Sequence, residues 1–288
     1  MTTLRHVFLL FLLAGCAGSG PRSLPGSAGR AVLFQDDFAA GALDRSKWNV
    51  EGPRFWVNNE QQAYVDSVAT VGFEPRLGAE DGALILRPVF RPGFETPTGR
   101  VADFLSGRID SRGKVELAHG RFEARLRMTD HIGVWPAWWL LGAGRWPDTG
   151  EIDIMEYVGE RDWTAVALHG PGYSGETPLV NRQYFPPAED ATAWHVYAVE
   201  WTRDSMEFYV DDRMIYRATR PMVEHYGPWR FGEPKFMILN FALGGAYPAK
   251  VNGIKSPYNG LPESTVEAIK AGRVEMAVDW VRVLAPAG

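Results

Sequence analysis

The chain has 288 residues, of which 45% are hydrophobic and 23% charged, with 31 Gly, 20 Pro and a single Cys. This is the composition of a folded protein, and the length fits one large β domain or two average ones. The net charge of −5 argues against a nucleic-acid partner, which needs a basic surface, and the lone Cys excludes an internal disulfide or a Cys-rich zinc site.

The first predicted element in chain order is an export signal. Arg5 precedes an apolar stretch, Val7 to Ala14, that is far shorter than the ~20 residues of a membrane-spanning helix. Leu13-Ala14-Gly15-Cys16 resembles a bacterial lipoprotein signal, in which the Cys becomes the first mature residue and carries lipid. We therefore expect a signal peptide at 1–15, lipidation at Cys16 and a flexible Gly, Ser and Pro-rich linker over 16–30. A plain secretory signal with a chance Cys is the alternative.

This signal predicts an exported protein in the bacterial cell envelope, anchored by lipid on the periplasmic or cell-surface side. The membrane is then one of its partners, reached through the N-terminal lipid.

Beyond residue 30, short runs that alternate apolar and polar residues predict strands separated by Gly, Pro, Asn and Asp. In Gly120–Met128, the apolar side chains share one face and the charged side chains share the other. Asp211-Asp212 predicts a tight hairpin turn, and Ser264–Gly272 predicts a helix with a capping box formed by Ser264 and Glu267. Many short strands with no break in composition predict a single β-sandwich over 31–286.

The most informative stretch is an acidic strand, in which Glu151, Asp153 and Glu156 interrupt an apolar run. Glu151 and Asp153 point to one face of a regular strand, whereas Glu156, five residues after Glu151, points to the other. A β-bulge would return Glu156 to the first face, and bulges occur beside active sites.

Distance indicates the chemistry that such a strand can support. With a bulge, the Cα atoms of Glu151 and Glu156 lie roughly 13 Å apart, at ~3.3 Å per step. Side chains that lean together leave about 5–6 Å between the carboxyls, which fits retaining glycoside hydrolysis by a nucleophile and an acid/base. Asp153 would then hydrogen-bond the nucleophile and raise the pKa of the acid. A calcium site and the solvated face of an edge strand are the alternatives.

Aromatic residues precede the acidic strand in a second strand that we expect to lie beside it. Alternation places Trp135 and Trp139 on one face, where flat indole rings suit pyranose rings, and Trp138 on the core face. Asn58 lies in a segment of amides next to Trp56, which suits sugar hydroxyls or a simple turn. His169 either faces the acids or lies in the core, and spacing alone favours the core.

These residues together resemble glycoside hydrolase family 16, the β-jelly-roll family of laminarinases, lichenases, agarases and carrageenases. The resemblance extends roughly from Phe34 to Leu284 and rests on several motifs in the family order. The motifs include Asp36-Asp37-Phe38, Asn58-Asn59-Glu60, Ser106-Gly107-Arg108-Ile109, Trp135-Pro136-Ala137, Glu151-Ile152-Asp153-Ile154-Met155-Glu156, His169-Gly170, Asn240-Phe241-Ala242-Leu243-Gly244-Gly245 and Val278-Asp279-Trp280.

The resemblance implies an all-β jelly-roll sandwich of two curved antiparallel sheets with a concave substrate cleft. It implies Glu151 as nucleophile, Asp153 as its helper and Glu156 as general acid/base. It also implies a cleft lined by Asn58, Trp135, Trp139 and His169. The five-residue spacing resembles the bulged branch that holds the laminarinases. Asp279 resembles a position that often contributes to a structural calcium site, and no cofactor is expected for catalysis.

The chain departs from the family pattern near its end. Many laminarinases have Gly-Gly-x-Trp-Pro where this chain has Gly244-Gly245-Ala246-Tyr247-Pro248, and a long segment follows from Ala249 to Gly272. Both departures are expected to reshape one end of the cleft.

The expected function is that of a monomeric retaining hydrolase that cleaves internal β-1,3 or mixed β-1,3/1,4 linkages of β-glucan. The first alternative is the same fold acting on an agar- or carrageenan-type galactan. The others are a transglycosylase and a non-catalytic carbohydrate-binding surface protein.

Overall fold

The alternating segments fold as strands throughout residues 29–288, the part of the chain that the structure, a computed structural model, describes. The predicted signal peptide and Cys16 lie outside these residues. The strands are β1 Val32–Asp36, β2 Asn49–Val50, β3 Gln62–Tyr64, β4 Val71–Glu74, β5 Ala83–Leu86, β6 Val89–Glu95, β7 Val101–Ser106, β8 Arg108–Asp110, β9 Glu116–Leu117, β10 Gly120–Met128, β11 Val134–Gly142, β12 Glu151–Glu156, β13 Trp163–His169, β14 Leu179–Tyr184, β15 His195–Trp201, β16 Ser205–Val210, β17 Arg213–Thr219, β18 Lys235–Leu243 and β19 Met276–Leu284. The helices are α1 Arg220–Glu224, α2 Ala246–Asn252 and α3 Glu263–Lys270. Within 29–288, none of these helices has the length and apolar character to cross a membrane.

Two antiparallel sheets form the predicted sandwich. Sheet A has the order β17-β16-β15-β10-β19-β5-β4, and β1 also pairs with β19. Sheet B has the order β14-β13-β12-β11-β18-β8-β2, and β9 also pairs with β18. A smaller sheet has the order β3-β7-β6, and its strands β3 and β7 run parallel. The prediction of an all-β sandwich is confirmed.

The core lies between sheets A and B. Phe122 and Leu126 of β10 and Trp138 and Leu140 of β11 are buried together there. Since successive side chains of a strand point to opposite faces, each strand supplies one face to this core and turns the other outward. The outer face of sheet B is therefore available for polar and aromatic side chains.

The outer face of β10 is less exposed than its alternation predicts. Glu123 is buried, and Arg121 and Arg282 donate to its two carboxylate oxygens at 2.8 and 2.7 Å. A buried carboxylate is tolerated when each oxygen meets a charged donor. Ion pairs within β10 and between β10 and β19 thus close a face that the sequence pattern marks as solvated.

The predicted hairpin turn is confirmed at Asp211-Asp212. Val210 at the end of β16 pairs with Arg213 at the start of β17, which leaves a two-residue turn. Asp211 adopts a left-handed backbone with φ of 54°, as tight hairpin turns require.

The predicted helix forms as α3, but its capping box is wrong. The N-cap is Pro262, which offers no side-chain acceptor, and Ser264 lies inside the first turn. Glu267 accepts a hydrogen bond from Lys270 instead. The C-terminal end follows the prediction, because Gly272 adopts a φ of 68° just after the helix.

Candidate active site

A β-bulge in β12 brings three acids to one face of sheet B, as the catalytic interpretation of their spacing requires. The register of β12 against β11 shifts by one residue between Asp153 and Met155. Ile154 and Met155 both point into the core, where they are buried. Glu151, Asp153 and Glu156 consequently share the outer face of sheet B, which we call the acid face.

The separation of the two glutamates follows from their partners in β11. Glu151 lies opposite Leu141 and Glu156 opposite Ala137, so that four strand steps separate them. At ~3.3 Å per step, this is roughly 13 Å between Cα atoms, the spacing that the bulge predicts. Both glutamates are partly exposed, whereas Asp153 between them is only 4% exposed. Solvent and ligands therefore reach the two glutamates, whereas Asp153 is buried between them.

Each glutamate accepts a hydrogen bond from an indole. Trp135 Nε1–H donates to Glu156 Oε1 at 2.9 Å, which places Trp135 on the predicted face. Trp146 Nε1–H donates to Glu151 Oε2 at 2.9 Å, a role that we did not predict. The available signal was a Trp in a polar loop five residues before the first acid. Its ring is 45% exposed, so core packing does not explain it.

The ring of His169 faces the acids, whereas spacing alone favoured the core. His169 lies opposite Glu151 in β13. Its Nδ1 accepts the N–H of Gly175 at 3.3 Å, so the neutral ring carries its proton on Nε2. This nitrogen is 3.3 Å from Asp153 Oδ2 and 3.8 Å from Glu151 Oε1. Within residues 29–288, Asp153 Oδ2 has no well-aligned hydrogen-bond donor.

Burial raises the pKa of all three carboxyls. The pKa of Glu151 rises to about 8, first because of burial and then because of the charge of Asp153, while the Trp146 N–H lowers it. Burial and the charge of Glu156 hold the pKa of Asp153 well above its usual range. Burial also raises the pKa of Glu156. Repulsion between neighbouring carboxylates disfavours the state in which all three are ionised, so their titrations are linked.

A chain of buried polar side chains holds Trp139 on the acid face. Trp139 Nε1–H donates to Asn240 Oδ1 at 2.7 Å, and Asn240 Nδ2–H donates to the Tyr64 hydroxyl at 3.1 Å. That hydroxyl donates to Glu60 at 3.4 Å. The Arg108 guanidinium lies 5.0 Å from the centre of the Trp139 ring, within range of a cation–π contact. The orientation of this ring is thus fixed before any ligand binds.

Asn58 lies at the rim of the acid face. Its carbonyl accepts the N–H of Ala246 at 2.8 Å, and its backbone is left-handed with φ of 53°. Its exposed side chain donates to Glu60 at 3.4 Å and to none of the three acids. The predicted role of Asn58 in sugar binding stays a prediction.

A buried lysine holds the loop that carries Trp146. Lys235 Nζ donates to the carbonyls of Thr149 at 2.6 Å and Arg230 at 3.2 Å, and burial lowers the pKa of this amine to about 8. The Thr149 hydroxyl donates to the carbonyl of Gly142 at 3.1 Å, which ties the base of the loop. Sequence reasoning missed Lys235 because a lysine at the start of an apolar strand resembles an exposed strand end.

Glu151, Asp153 and His169 also form the one group of three metal-ligating side chains within 29–288, with ligand atoms within 4.8 Å of one another. Calcium prefers six to eight oxygen ligands, whereas this group offers two carboxylates and a ring nitrogen. The calcium alternative for the acidic strand therefore fits these residues poorly.

The surroundings of Asp279 also fit calcium poorly. Oδ1 of this buried carboxylate accepts the N–H of Glu80 at 2.9 Å, and Oδ2 pairs with the Arg125 guanidinium. Arg125 also donates to the carbonyl of Gly78 at 2.7 Å. The Arg125 guanidinium thus occupies the place between the Asp279 carboxylate and the Gly78 carbonyl that a calcium ion would need. The calcium site stays a prediction, and these contacts argue against it.

Two glutamates flanked by indoles on the outer face of a β-sandwich define a glycoside hydrolase. The chain belongs to the glycosyl hydrolases family 16, whose model matches residues 90–281. A β-glucanase from Rhodothermus marinus is 32% identical over 293 aligned residues, which cover 97% of this chain and 93% of that protein.

Solved structures agree with this assignment. The endo-β-1,3-glucanase of Pyrococcus furiosus superposes with a TM-score of 0.77 at 28% identity, covering 90% of this chain and 95% of that one. The laminarinase of Rhodothermus marinus superposes with a TM-score of 0.72 at 30% identity, covering 90% and 98% respectively. The predicted family, jelly-roll fold and enzyme class are confirmed.

Proposed function

We propose that the protein is a retaining endo-β-1,3-glucanase that cleaves internal linkages of β-1,3 or mixed β-1,3/1,4 glucans. The observation that carries the proposal is the acid face, where Glu151 and Glu156 lie four strand steps apart with Trp135 and Trp139 beside them. The similarity to proteins named as a β-glucanase, an endo-β-1,3-glucanase and a laminarinase supports glucan as the substrate. A lipid anchor at Cys16 and a place in the cell envelope belong to the same proposal and rest on the sequence of the export signal.

The reaction proceeds in two steps on the acid pair. The Glu151 carboxylate attacks the anomeric carbon while Glu156 donates its proton to the departing glycosidic oxygen. The bond to the leaving sugar breaks, and an ester bond joins Glu151 to the remaining chain. A water molecule then gives a proton to Glu156 and attacks the same carbon, which releases Glu151 as a carboxylate. Two successive inversions retain the configuration of the sugar.

The contacts of the three acids fit these roles. Glu151 has to be ionised, and the indole N–H of Trp146 and Nε2 of His169 both face it. Asp153 is the most buried of the three and lacks an aligned donor, so it takes up a proton most readily. A protonated Asp153 no longer repels Glu151 and becomes a donor for it. The raised pKa of Glu156 keeps the proton that the leaving group needs.

The test compares Glu151→Gln and Glu156→Gln with wild type on laminarin. We expect Glu151→Gln to lower the release of reducing sugar by at least about a thousandfold, because no covalent intermediate forms. With an activated aryl glycoside and azide, Glu151→Gln should give the inverted glycosyl azide and Glu156→Gln the retained one. Glu95→Gln, a change at an exposed acid in β6, should keep wild-type activity.

Several outcomes would contradict the proposal. Wild-type activity in Glu151→Gln would overturn its role as nucleophile. Binding of β-glucan without turnover would favour the carbohydrate-binding alternative, and turnover of agar or carrageenan in place of laminarin would favour a galactan substrate. Products longer than the substrate would identify a transglycosylase.

A further inference from the structure

The helix α2 begins on the acid face beside Glu156. It follows β18, whose residue Leu243 pairs with Val134 at the start of β11, and Glu156 lies at this end of the sheet. The ring of Tyr247 in α2 is 5.5 Å from the ring of Trp135, which in turn donates to Glu156. Tyr247, which departs from the family pattern, thus lies next to the indole that contacts the predicted acid/base.

The same helix covers part of β13. Val251 of α2 packs against an apolar group formed by Val158, Trp163 and Ala165. Ala165 lies directly opposite Glu156, and directly opposed residues of paired strands share a face. The helix therefore crosses the Glu156 end of the acid face, from Trp135 of β11 to the apolar group on β13.

A loop from the other end of the acid face reaches this helix. The loop between β13 and β14 follows His169, which lies opposite Glu151, and its Gly175 N–H donates to His169. The next residue, Glu176, pairs with Lys250 of α2, with 2.8 Å between Oε2 and Nζ. We call this pair the Lys250–Glu176 bridge. The bridge connects α2, at the Glu156 end of the acid face, with the loop between β13 and β14, at the Glu151 end.

A polysaccharide has to pass this bridge. Glu151 and Glu156 flank the scissile bond, and the line that joins them runs along β12. The sugar chain therefore passes between them and crosses the neighbouring strands. On the β11 side it meets the fixed ring of Trp139, and on the β13 side it meets α2 and the bridge.

We propose that the Lys250–Glu176 bridge restricts the entry of long glucan chains, so that it sets the preference between polymer and short substrates. The proposal rests on the glucanase function proposed above. The proposal places the leaving-group side of the scissile bond over β13 and the glycone side over β11. A chain with several sugar units on the leaving-group side needs the bridge open, whereas a substrate that occupies only the glycone side does not. A closed state that competes with the polymer lowers its apparent affinity and leaves the short substrate unaffected.

The charges of the bridge suit such a role. The Lys250 and Glu176 side chains are 62% and 78% exposed, so water and salt screen their attraction. Exposed ion pairs are weak, and the pair opens and closes readily. The bridge therefore restricts entry without blocking it, which is compatible with cleavage of internal linkages.

The test compares Lys250→Ala with wild type on soluble laminarin and on an aryl laminaribioside, whose leaving group carries no sugar. We expect kcat/KM for laminarin to rise about two- to fivefold, mainly through KM, which is the shift that loss of an exposed ion pair can cause. The value for the aryl substrate should stay unchanged. Salt at about 1 M should raise the laminarin value of wild type and not that of the variant.

Two further variants separate the effect of the bridge's charges from the effects of side-chain shape and of losing any exposed ion pair. The exchange Lys250→Glu with Glu176→Lys should restore the wild-type preference at low salt. Arg213→Ala breaks another exposed pair of the same length, Arg213–Glu189 at 2.8 Å, at the edge of sheet A, and should change neither substrate.

The outcomes distinguish the two proposals. An unchanged preference in a folded Lys250→Ala protein overturns the bridge proposal. A fall in laminarin turnover overturns it as well, because the bridge would then support the sugar chain. Cleavage of neither substrate by wild type overturns the glucanase proposal itself.

Discussion

Two indole N–H groups bias the protonation of the acid pair from opposite ends of β12. Trp146 donates to Glu151 and Trp135 donates to Glu156. A hydrogen bond to a carboxylate lowers its pKa, so each indole opposes the rise that burial causes. Glu151 has to be ionised and Glu156 has to be protonated. A hydrogen bond that lowers the pKa therefore favours the reactive form of Glu151 and disfavours the reactive form of Glu156.

Replacing each indole by Phe removes the N–H and keeps an aromatic ring. Trp146→Phe should raise the pKa of Glu151, which must be ionised, and so move the acidic limb of the kcat/KM profile to higher pH. The expected movement is about one unit, for a bond to a charged group of ~1.5 kcal/mol. Trp135→Phe should raise the pKa of Glu156, which must be protonated, and so move the alkaline limb to higher pH. The pH profiles of kcat/KM, measured for both variants with one aryl substrate, check the two expectations. Movement of the opposite limb in either variant would contradict the assigned roles.

At the scale of the element, the bulge in β12 determines which face Glu156 occupies. Ile154 and Met155 both enter the core, although β11 offers only one core-facing position there, at Trp138. Removing one of the two would leave regular alternation along Glu151, Asp153 and the last glutamate. The bulge therefore accommodates the one extra residue of β12, and the residues on either side of it pair regularly with β11.

Deletion of Met155 tests this account of the strand. The remaining order Glu-Ile-Asp-Ile-Glu keeps all three acids on the acid face, and Glu156 stays opposite Ala137. We expect a folded, active enzyme that loses ~2–4 kcal/mol of unfolding free energy with the core side chain. Deletion of Ile152 is the matched control, because it forces Glu151 or Asp153 towards the core, and it should abolish activity. Urea unfolding and laminarin assays measure both, and a folded but inactive Met155 deletion would refute the account.

At the scale of the whole molecule, charged pairs close the outer face of sheet A while the apolar core joins the two sheets. Glu123 lies between Arg121 and Arg282, and Asp279 pairs with Arg125 in the same sheet. These carboxylates are buried, so removing a partner leaves an uncompensated charge. Arginine therefore supplies the positive charge that the family resemblance assigns to calcium.

This arrangement predicts stability without calcium. A chelator or millimolar Ca²⁺ should leave the Tm of the wild-type protein unchanged, since Arg125 already pairs with Asp279. Arg125→Ala should lower the unfolding free energy by about 2–4 kcal/mol, less than for a fully buried pair because Arg125 is partly exposed. Ca²⁺ should then restore part of the loss, because the Asp279 carboxylate and the Gly78 carbonyl become available. Calorimetry measures all of these, and a wild-type Tm that rises with Ca²⁺ would show a calcium site.

Features that depend on neighbouring residues were predictable. The alternation of apolar and polar residues specifies the strands, since it follows from backbone geometry. The five-residue spacing from Glu151 to Glu156 indicates a bulge once the three acids are taken to share one face. The turn at Asp211-Asp212 is local in the same sense. The resemblance to a known family added the jelly roll and the position of His169, which periodicity alone would have assigned to the core.

Features that join distant parts of the chain became visible only in the folded molecule. Trp139 and Asn240 are 101 residues apart, and Lys250 and Glu176 are 74 apart, so no local pattern relates them. The burial of Glu123 likewise depends on Arg282 from another strand. Periodicity reports which face a side chain occupies, because the backbone repeats regularly. The partner that it meets on that face depends on the order of strands in the sheet and on the path of the loops, and these decide the walls and the charges of the active site.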